Sequence, residues 1–246
     1  MIGVLNSIPV IAIGSGWLAV EKPEGLSVHN DPENDLCSRI QTAVEADAIL
    51  QAALDYDPAF GVHPVHRLDR ETSGVVVLAC SAGVFRYIAR LFEAHQVEKI
   101  YQALLHGRLE TGAPEQGLWD WPLSREAGGR RNPAGTGKKM SCRTRFEILD
   151  YSAHYTLVRC RLETGRKHQI RRHAKLSGHP VVGDARYGSV RAIAHLKSNG
   201  FKRLALHCME IGFVPSGDSK ALFIKSPELP ESIRLLFEKD KAISAL

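Results

Sequence analysis

The chain has 246 residues, of which 44% are hydrophobic, so it can bury one large core or two smaller ones. No apolar run reaches the roughly 20 residues that cross a bilayer, which excludes a membrane-spanning segment and leads us to expect no membrane partner. The formal net charge is +5, and its distribution is uneven. Residues 21–57 carry nine acidic and two basic side chains, whereas residues 123–145 carry seven basic side chains and one acidic one. A basic stretch of this kind suits the phosphate backbone of a nucleic acid.

The cysteine and histidine patterns argue against disulfides and metal. The five cysteines are widely spaced, without a C-x-x-C pair, and no secretory leader follows Met1, so we expect reduced thiols and a cytoplasmic protein. The eleven histidines form neither an H-E-x-x-H motif nor a Cys/His array with zinc spacing. The sequence therefore predicts no metal site.

The first half of the chain predicts a hairpin, a helix, a buried strand and a second helix, in that order. Residues 8–13 and 17–21 are strand-like and flank a Gly-Ser-Gly turn, which is typical of a hairpin. Residues 38–54 carry apolar side chains at helical spacing, although the period slips midway. The apolar run 75–78 predicts a buried strand, and apolar residues within 84–95 then recur at helical spacing.

The second half alternates strand patterns with helical ones. Because many strands are separated by few helices, the sequence predicts an α+β fold with a mixed, largely antiparallel central sheet and flanking helices and loops. The predicted strands are 100–105, 142–149, 155–162, 204–213 and 221–225, and the predicted helices are 170–177, which Gly178 ends, and 230–239.

A glycine-rich segment at 124–139, "SREAGGRRNPAGTGKK", has almost no apolar residues. Its length and composition predict a mobile basic loop that binds a ligand, with candidate contacts at Arg130, Arg131, Lys138 and Lys139. The "GTGKK" within it is not a phosphate-binding P-loop, because it lacks the first glycine of that motif and the Ser or Thr that follows its lysine.

The segment 63–79, "HPVHRLDRETSGVVVLA", places charged and imidazole side chains directly before the predicted buried strand. His66, Asp69 and Ser73 have the residue types of a hydrolytic triad, but triads are assembled from separate segments and the chain has no G-x-S-x-G turn. We therefore reject a serine hydrolase.

Asp69 lies between Arg67 and Arg70, and two interpretations of it are open from this segment alone. Desolvation beside a buried strand is opposed by neighbouring guanidinium groups, so one interpretation is an ionised carboxylate that serves as a catalytic nucleophile or base. The other is a carboxylate that caps a turn and pairs with Arg70 on the surface. The choice between them depends on other parts of the chain.

Five motifs, which extend over most of the chain from Trp17 to Pro227, carry a resemblance to a known family. In chain order the five are "KPEGLSVH" at 22–29, "VHRLDRETSGVVVLA" at 65–79, "EKIYQALLHG" at 98–107, "ETGRKHQIRRHAKLSGHPVVGDARYG" at 163–188 and "LALHC" at 204–208. They resemble the motifs of the RluA-type family of RNA pseudouridine synthases, and H-R-L-D-x-x-T-S-G and G-R-x-H-Q-I-R-x-H are long and specific.

The resemblance implies both a fold and a site. It implies a single catalytic domain over 1–246, with its motif-bearing core at about 17–227, that has the pseudouridine synthase fold and a basic active-site cleft. Asp69 matches the family's catalytic aspartate, Tyr101 matches a tyrosine that lies against the target base, and Arg171 matches an arginine that pairs with the aspartate.

Further residues are implied as contacts to the base or the RNA. Leu206 in "LALHC" matches an apolar residue that packs beside the base, and Arg67 is expected to enter the RNA stack when the uridine leaves it. Arg166, His168 and Gln169 of the G-R-x-H-Q motif are expected to bind substrate as well.

The implied reaction breaks the bond from C1′ to N1 of uridine, turns the uracil and joins C1′ to C5, so the resemblance implies no cofactor. The aspartate acts either as a nucleophile or as a base on the sugar, and the sequence leaves both open. Because the target atoms lie inside a nucleotide, we expect a flipped or unpaired uridine in a tRNA or ribosomal RNA stem-loop. We expect the protein to act on RNA as a monomer.

An alternative function and a question of substrate choice accompany this interpretation. Many family members carry an S4-type RNA-binding domain before the catalytic domain, but "KPEGL" begins here at residue 22, so we expect substrate choice to depend on the loops of the catalytic domain. The alternative is an RNA-binding protein or RNA chaperone that uses the same fold without turnover. The presence of Asp69, Tyr101 and Arg171 together favours the enzyme.

Overall fold

The computed structural model describes residues 3–110 and 116–243. The strands are β1 (Gly3–Leu5), β2 (Ile8–Gly14), β3 (Trp17–Lys22), β4 (His63–Pro64), β5 (Ser73–Ala79), β6 (Glu98–His106), β7 (Gln116–Trp119), β8 (Leu123–Ser124), β9 (Lys139–Met140), β10 (Thr144–Tyr151), β11 (Tyr155–Leu162), β12 (Leu206–Phe213) and β13 (Leu222–Lys225). The helices are α1 (Leu36–Glu45), α2 (Ala48–Leu54), α3 (Ala82–Glu93), α4 (Gln169–Leu176), α5 (Val190–Ser198) and α6 (Glu231–Ile243).

The chain divides into two compact units. The first comprises Met1–Lys99 and Cys208–Glu228, and the second comprises Ile100–His207 and Leu229–Leu246. The first therefore holds β1–β5, α1–α3, β13 and most of β12, and the second holds most of β6 together with β7–β11 and α4–α6. The expected single catalytic domain over 1–246 stays a prediction.

β5 forms the centre of the first unit. All seven of its residues, SGVVVLA, are buried, as expected for a strand that is covered on both faces. It pairs antiparallel with β3, from Trp17 opposite Ala79 to Lys22 opposite Gly74, and the strands of this unit follow the order β1-β2-β3-β5-β12. The predicted hairpin is confirmed as β2 and β3.

Gly74 in β5 is required by a close approach between two backbones. Its φ is +119°, and a Cβ at this position would lie 2.3 Å from the carbonyl oxygen of Cys208 and 2.6 Å from its nitrogen. Any side chain at Gly74 would therefore push β12 away from β5.

The helical pattern at 38–54 forms two helices, α1 and α2, where we expected one. The chain breaks at Asp47, whose carboxylate accepts hydrogen bonds from the backbone N–H groups of Ile49 and Leu50 and so caps α2. The slip in the apolar period marks this break.

The second unit contains an antiparallel arrangement of strands in the order β6-β11-β10-β7. β10 and β11 confirm the strands predicted at 142–149 and 155–162, with a shift in register between Ile148 and Asp150.

We did not predict α5, whose sequence VRAIAHLKS buries Leu196 alone and so has a weak apolar period.

The structure confirms an α+β fold whose strand pairing is largely antiparallel. The shorter pairs follow the same rule, since β4 pairs antiparallel with β5, β13 with β12 and β8 with β9. Within residues 3–110 and 116–243, none of the helices combines the length and the apolar character that a membrane span needs.

Candidate active site

Asp69 lies in the loop that leads into β5. The side chain of Leu68 is buried and anchors this loop, whereas Arg67 and Arg70 are exposed. Asp69 is partly buried, and its carbonyl oxygen accepts a hydrogen bond from the Thr72 N–H at 3.0 Å. The loop thus turns tightly at Asp69, and the turn holds the backbone of this residue in place.

A second turn, residues 22–26, is fastened to the Asp69 loop. The Gly25 N–H donates to the Arg70 carbonyl at 2.8 Å, and the Arg70 Nε donates to the Gly25 carbonyl at 2.8 Å. Lys22 is fully buried, and its Nζ donates to three backbone carbonyls, including that of Arg70 at 3.2 Å. Arg70 therefore has a structural role, because it clamps these two turns together.

His66 is committed to the structure of the same loop. Its Nε2 accepts the Val77 N–H at 3.0 Å, and its ring stacks on Phe92 with the centroids 5.0 Å apart. Burial, assisted by the positive charge of Lys99, lowers the pKa of His66 to about 3. A neutral imidazole whose acceptor nitrogen is occupied is unable to serve Ser73 as a base, which agrees with the rejection of a hydrolytic triad.

Tyr101 lies on β6 and is buried. Because side chains alternate along a strand, it shares one face of β6 with the buried residues Ala103 and Leu105. Its Cα lies opposite that of Cys160 on β11. Tyr101 is thus fixed by a strand that has a hydrogen-bonded neighbour along most of its length.

Arg171 lies on α4 and forms a buried ion pair with Asp184. Its Nε donates to Asp184 Oδ2 at 2.7 Å, and its Nη2 donates to Asp184 Oδ1 at 3.0 Å. The two side chains are 3% and 0% exposed. Two parallel hydrogen bonds fix both the position and the plane of the guanidinium group.

The turn after Asp184 extends this arrangement. Asp184 Oδ1 also accepts the backbone N–H groups of Arg186 and Tyr187, at 2.9 and 3.0 Å. The Tyr187 hydroxyl lies 3.0 Å from His168 Nδ1, and the Arg171 guanidinium lies 5.5 Å from the centroid of the Tyr187 ring. His168, which we expected to bind substrate, therefore contacts a residue that supports Arg171.

The side chain of Gln169 is buried and engaged within the protein. Its Oε1 accepts the Thr164 hydroxyl at 2.8 Å and the Arg166 N–H at 3.0 Å. Its Nε2 donates to the Arg143 carbonyl at 3.0 Å and to the Thr144 hydroxyl at 2.9 Å. Gln169 thus organises the loop before α4, on which Arg166 is exposed. The expected contacts of both residues with substrate stay predictions.

Leu206 is the first residue of β12 and is buried. The preceding residue, Ala205, accepts the Leu104 N–H at 3.0 Å and donates to the Val182 carbonyl at 2.9 Å. Val182 in turn donates to the Leu104 carbonyl at 2.8 Å. These hydrogen bonds fix β6, the turn that holds Asp184 and the start of β12 relative to one another within the second unit.

The basic loop at 124–139 is held by hydrogen bonds, whereas we expected it to be mobile. Arg172, which is fully buried, donates to three backbone carbonyls of the loop at 2.6, 2.6 and 3.0 Å. Arg186 donates to two more, both at 2.8 Å. Glycine and charge content indicated mobility, but arginines from other segments satisfy the loop backbone.

The four candidate RNA contacts in this loop fall into two groups. The guanidinium of Arg130 donates to two backbone carbonyls within 185–188, so it is used inside the protein. Arg131, Lys138 and Lys139 are exposed. The exposed three present the charge of the loop to solvent.

Sequence reasoning missed three charged residues that support the candidate site, namely Lys22, Arg172 and Asp184. Each of the three lies inside or beside a recognised motif. Its partner is a backbone group or side chain that the residue spacing of the motif does not identify. A signal was available for two of them: Lys22 closes β3, whose first four residues are apolar, and Asp184 directly follows Val-Val-Gly. A charge at the end of a buried run is expected to have a partner.

All five cysteines lie among the described residues, where they are buried and form no disulfide. Burial raises the pKa of Cys37, Cys80 and Cys160 to about 12. Within the part of the chain that the structure describes, no three His, Cys, Asp or Glu side chains are grouped so as to hold a metal ion.

The candidate residues are divided between the two units. Asp69 and Arg67 belong to the first unit, and Tyr101, Arg171 and Leu206 belong to the second.

A model of the RNA pseudouridylate synthase family matches residues 16–176, which is more than half of the chain and includes all three candidate catalytic residues. The chain belongs to the RNA pseudouridylate synthase family. This match confirms the family that the motifs indicated. Curated proteins that are similar to this chain are likewise named as pseudouridine synthases.

Two curated relatives bear names that state an RNA class. Ribosomal large subunit pseudouridine synthase D of Zymomonas mobilis is 31% identical over 227 residues, which cover 90% of this chain and 69% of that protein. tRNA pseudouridine synthase C of Yersinia pestis is 32% identical over 210 residues, which cover 79% of this chain and 76% of that protein. For three of the relatives, the matched region spans 65, 69 and 62% of the relative's own length, which is about two thirds.

A solved structure shares the fold. Human RNA pseudouridylate synthase domain containing 4 superposes with a TM-score of 0.70 at 22% identity, covering 92% of this chain and 90% of that chain. This likeness confirms the pseudouridine synthase fold that the motifs implied.

Proposed function

We propose that this protein is an RNA pseudouridine synthase that isomerises specific uridines of ribosomal RNA or tRNA. The observation that carries the proposal is the family match over residues 16–176, because that range includes Asp69, Tyr101 and Arg171. One relative is named for ribosomal RNA and another for tRNA, so both classes of substrate belong to the proposal.

Asp69 supplies the reactive carboxylate in this proposal. The reaction breaks the C1′–N1 bond and forms a C1′–C5 bond, with no net oxidation and no group transferred to another molecule. A carboxylate starts it either as a nucleophile at C1′ or as a base on the sugar. The hydrogen bond from Thr72 and the clamp between Gly25 and Arg70 support this role, because they restrict the backbone around Asp69.

Tyr101, Leu206 and Arg171 complete the proposed chemistry. The Tyr101 ring lies against the uracil, Leu206 packs beside it, and Arg171 compensates the charge of Asp69. The bidentate pair with Asp184 supports the role of Arg171, since a guanidinium that is already oriented needs no reorganisation during the reaction.

RNA binding in this proposal combines base flipping with contacts to phosphates. The target uridine leaves the stack or comes from an unpaired loop, because its reacting atoms are otherwise covered by neighbouring bases. Arg131, Lys138 and Lys139 bind flanking phosphates, and Arg67 enters the gap that the uridine leaves. Their exposure supports these assignments.

Release of tritium from RNA that carries [5-³H]uridine tests the proposal, because C5 loses its hydrogen when it bonds to C1′. The substrates are tRNA and ribosomal RNA transcripts that have no modified nucleotides. We expect the wild-type chain to release tritium and Asp69→Asn to release none, while the RNA affinity of this variant stays within a few-fold of the wild type. Glu93→Gln, which changes an exposed carboxylate of α3 in the same unit, serves as the control and keeps its turnover.

Two outcomes contradict the proposal. Substantial turnover by Asp69→Asn would remove Asp69 from the mechanism. Tight RNA binding by the wild type, with no tritium release from any of these RNAs, would favour the alternative of an RNA-binding protein or RNA chaperone.

A further inference from the structure

Trp121 differs from the other tryptophans of this chain in its exposure. Trp17 and Trp119 are 7% and 3% exposed, whereas Trp121 is 41% exposed. It lies in the short segment 120–122 that joins β7 to β8. A single exposed apolar side chain is ordinary on a protein surface, so exposure alone does not make Trp121 a binding residue. Trp121 differs from an ordinary exposed side chain in the hydrogen bonds that hold its backbone and in the positive charges of the neighbouring segments.

The backbone of Trp121 is held from the protein interior. Its carbonyl accepts hydrogen bonds from His173 Nε2 at 3.0 Å and from the Cys142 thiol at 3.2 Å. Burial lowers the pKa of His173, so the imidazole is neutral and donates from Nε2 while its Nδ1, 3.0 Å from the Thr144 hydroxyl, accepts. Pro122 follows, and a residue before proline is confined to extended backbone. Trp121 therefore presents its ring from a fixed backbone.

Exposed cations lie in the segments that adjoin Trp121. Burial raises the pKa of the Cys142 thiol and the positive charges of Arg172 and Arg166 oppose the shift, so the exposed Arg166 acts electrostatically on the thiol that bonds to the Trp121 carbonyl. Lys139 is also exposed, and it lies opposite Ser124 in the pairing of β9 with β8, the strand that directly follows Pro122. The same region holds two exposed carboxylates, but residues 120–145 contain seven basic and two acidic side chains.

We infer that Trp121 is a stacking platform for an unpaired base of the bound RNA, at a position outside the target uridine. The inference deepens the proposed function and rests on it. Every base has a π-face, so a rigid indole binds a nucleotide without reading its sequence, while the neighbouring cations bind its phosphates. The excess of positive charge favours RNA over a protein partner at this surface.

Tryptophan fluorescence tests the inference directly, because Trp17 and Trp119 are buried and Trp121 is the tryptophan that a base reaches. The probe is single-stranded oligocytidylate, which contains no uridine and so reports binding without turnover. We expect oligocytidylate to quench the fluorescence of the wild type, and Trp121→Phe to lose this quenching while its affinity falls by no more than about threefold. Trp121→Ala should lose affinity by about 5- to 100-fold, with an unchanged salt dependence, because stacking involves no counterion release.

Phe223→Ala is the matched control, since Phe223 is an aromatic residue of the first unit that is 47% exposed. It should bind oligocytidylate as the wild type does. Oligocytidylate that binds without quenching, or wild-type affinity in a folded Trp121→Ala, would overturn the inference. Self-association of the wild type that disappears in Trp121→Ala, measured by sedimentation, would assign the surface to a second copy of the chain and overturn it as well.

If Trp121→Ala fails to fold, the quenching lost in Trp121→Phe decides the question. Failure of the proposed function is seen separately, as an absence of tritium release from uridine-containing RNA. The two failures are therefore distinguishable.

Discussion

Arg171 and Asp184 form a bidentate ion pair that is almost completely withdrawn from solvent, with Nε–Oδ2 and Nη2–Oδ1 distances of 2.7 and 3.0 Å. The carboxylate also accepts two backbone N–H groups. Such a pair contributes little net stability when it is intact, but removal of the Asp184 carboxylate takes a buried negative charge away from Arg171. We therefore expect changes at Asp184 to reduce both the stability of the protein and the turnover proposed above.

Asp184→Asn should destabilise the protein by about 3–5 kcal/mol, because Arg171 loses the charge of its buried bidentate partner. Denaturant unfolding measures this loss. The exposed pair of Arg159 and Glu147, at 2.8 Å with side chains 46% and 42% exposed, provides the control. Glu147→Gln should cost less than about 1 kcal/mol. Equal losses of stability in the two variants would show that burial does not make the Arg171 pair more important than an exposed pair.

In tritium release, Asp184→Asn should reduce kcat more than it raises KM.

Arg67 and Arg70 are both exposed, yet we expect their alanine variants to fail in different assays. Arg70→Ala removes a hydrogen bond to the Gly25 carbonyl, so hydrogen exchange at the Gly25 amide should accelerate by up to about tenfold. Arg67→Ala should leave that amide unchanged and weaken RNA binding. Each variant is the control for the other, and a shared phenotype would contradict the separation of structural and RNA-binding roles.

Lys138 and Lys139 should account for part of the salt dependence of RNA binding, because they are exposed on the basic loop. Lys138→Ala combined with Lys139→Ala should reduce the slope of log affinity against log salt by about 1.5, at roughly 0.7–0.9 for each phosphate contact. Arg234→Ala combined with Lys239→Ala removes two exposed charges from α6 and should leave the slope unchanged. An unaltered slope in the loop variant would contradict phosphate binding by these lysines. Arg130 is a poorer test, because its guanidinium bonds to the protein backbone.

The attachment of α6 should depend on pH through Asp240, which is 7% exposed. Burial alone raises a carboxyl pKa, but hydrogen bonds from the Ser152 hydroxyl at 2.6 Å and from the His154 N–H and Nδ1 at 2.7 and 2.8 Å hold the pKa of Asp240 below its ordinary value of 3.8. A depressed pKa in the folded state stabilises the protein above about pH 4, and this contribution is lost as the pH falls through the folded value.

Asp240→Asn should therefore destabilise the protein by about 1–3 kcal/mol at pH 7, and the difference from the wild type should shrink below about pH 4. Thermal unfolding across this pH range measures it. Glu238→Gln changes an exposed carboxylate of the same helix and should have little effect at any pH. A difference between Asp240→Asn and the wild type that stays constant down to pH 3 would contradict the assignment.

Local patterns predicted most of the strands and helices because each is governed by residues close in the sequence. The Val-rich β5 and the alternating β10 and β11 were evident from their side chains, and even the break between α1 and α2 was visible as a slip in the period. α5 escaped because one buried residue, Leu196, leaves no periodic stripe.

The site was predictable only as far as its motifs reach. The motif for Arg171 indicates a role toward Asp69, but its spacing gives no indication of Asp184, since the pairing depends on how the chain turns after α4. The basic loop illustrates the same limit: its composition predicts mobility, while the restraint comes from Arg172 and Arg186, which lie in other segments. Contacts between distant residues are set by tertiary structure, and local composition does not encode them.

The narrow gap between Gly74 and the backbone of Cys208 has a consequence for synthesis of the chain. β5 reaches its neighbour β12 only after the ribosome has completed the intervening stretch of the second unit, which takes on the order of 5 to 30 s at roughly 5–20 residues per second. During that time β4 pairs with this edge of β5 only at Leu78 and Ala79, so the rest of the edge is open, and open edges promote aggregation. We therefore expect nascent chains that stop before β12 to depend on chaperones, and the first unit to finish folding only when its last strands emerge.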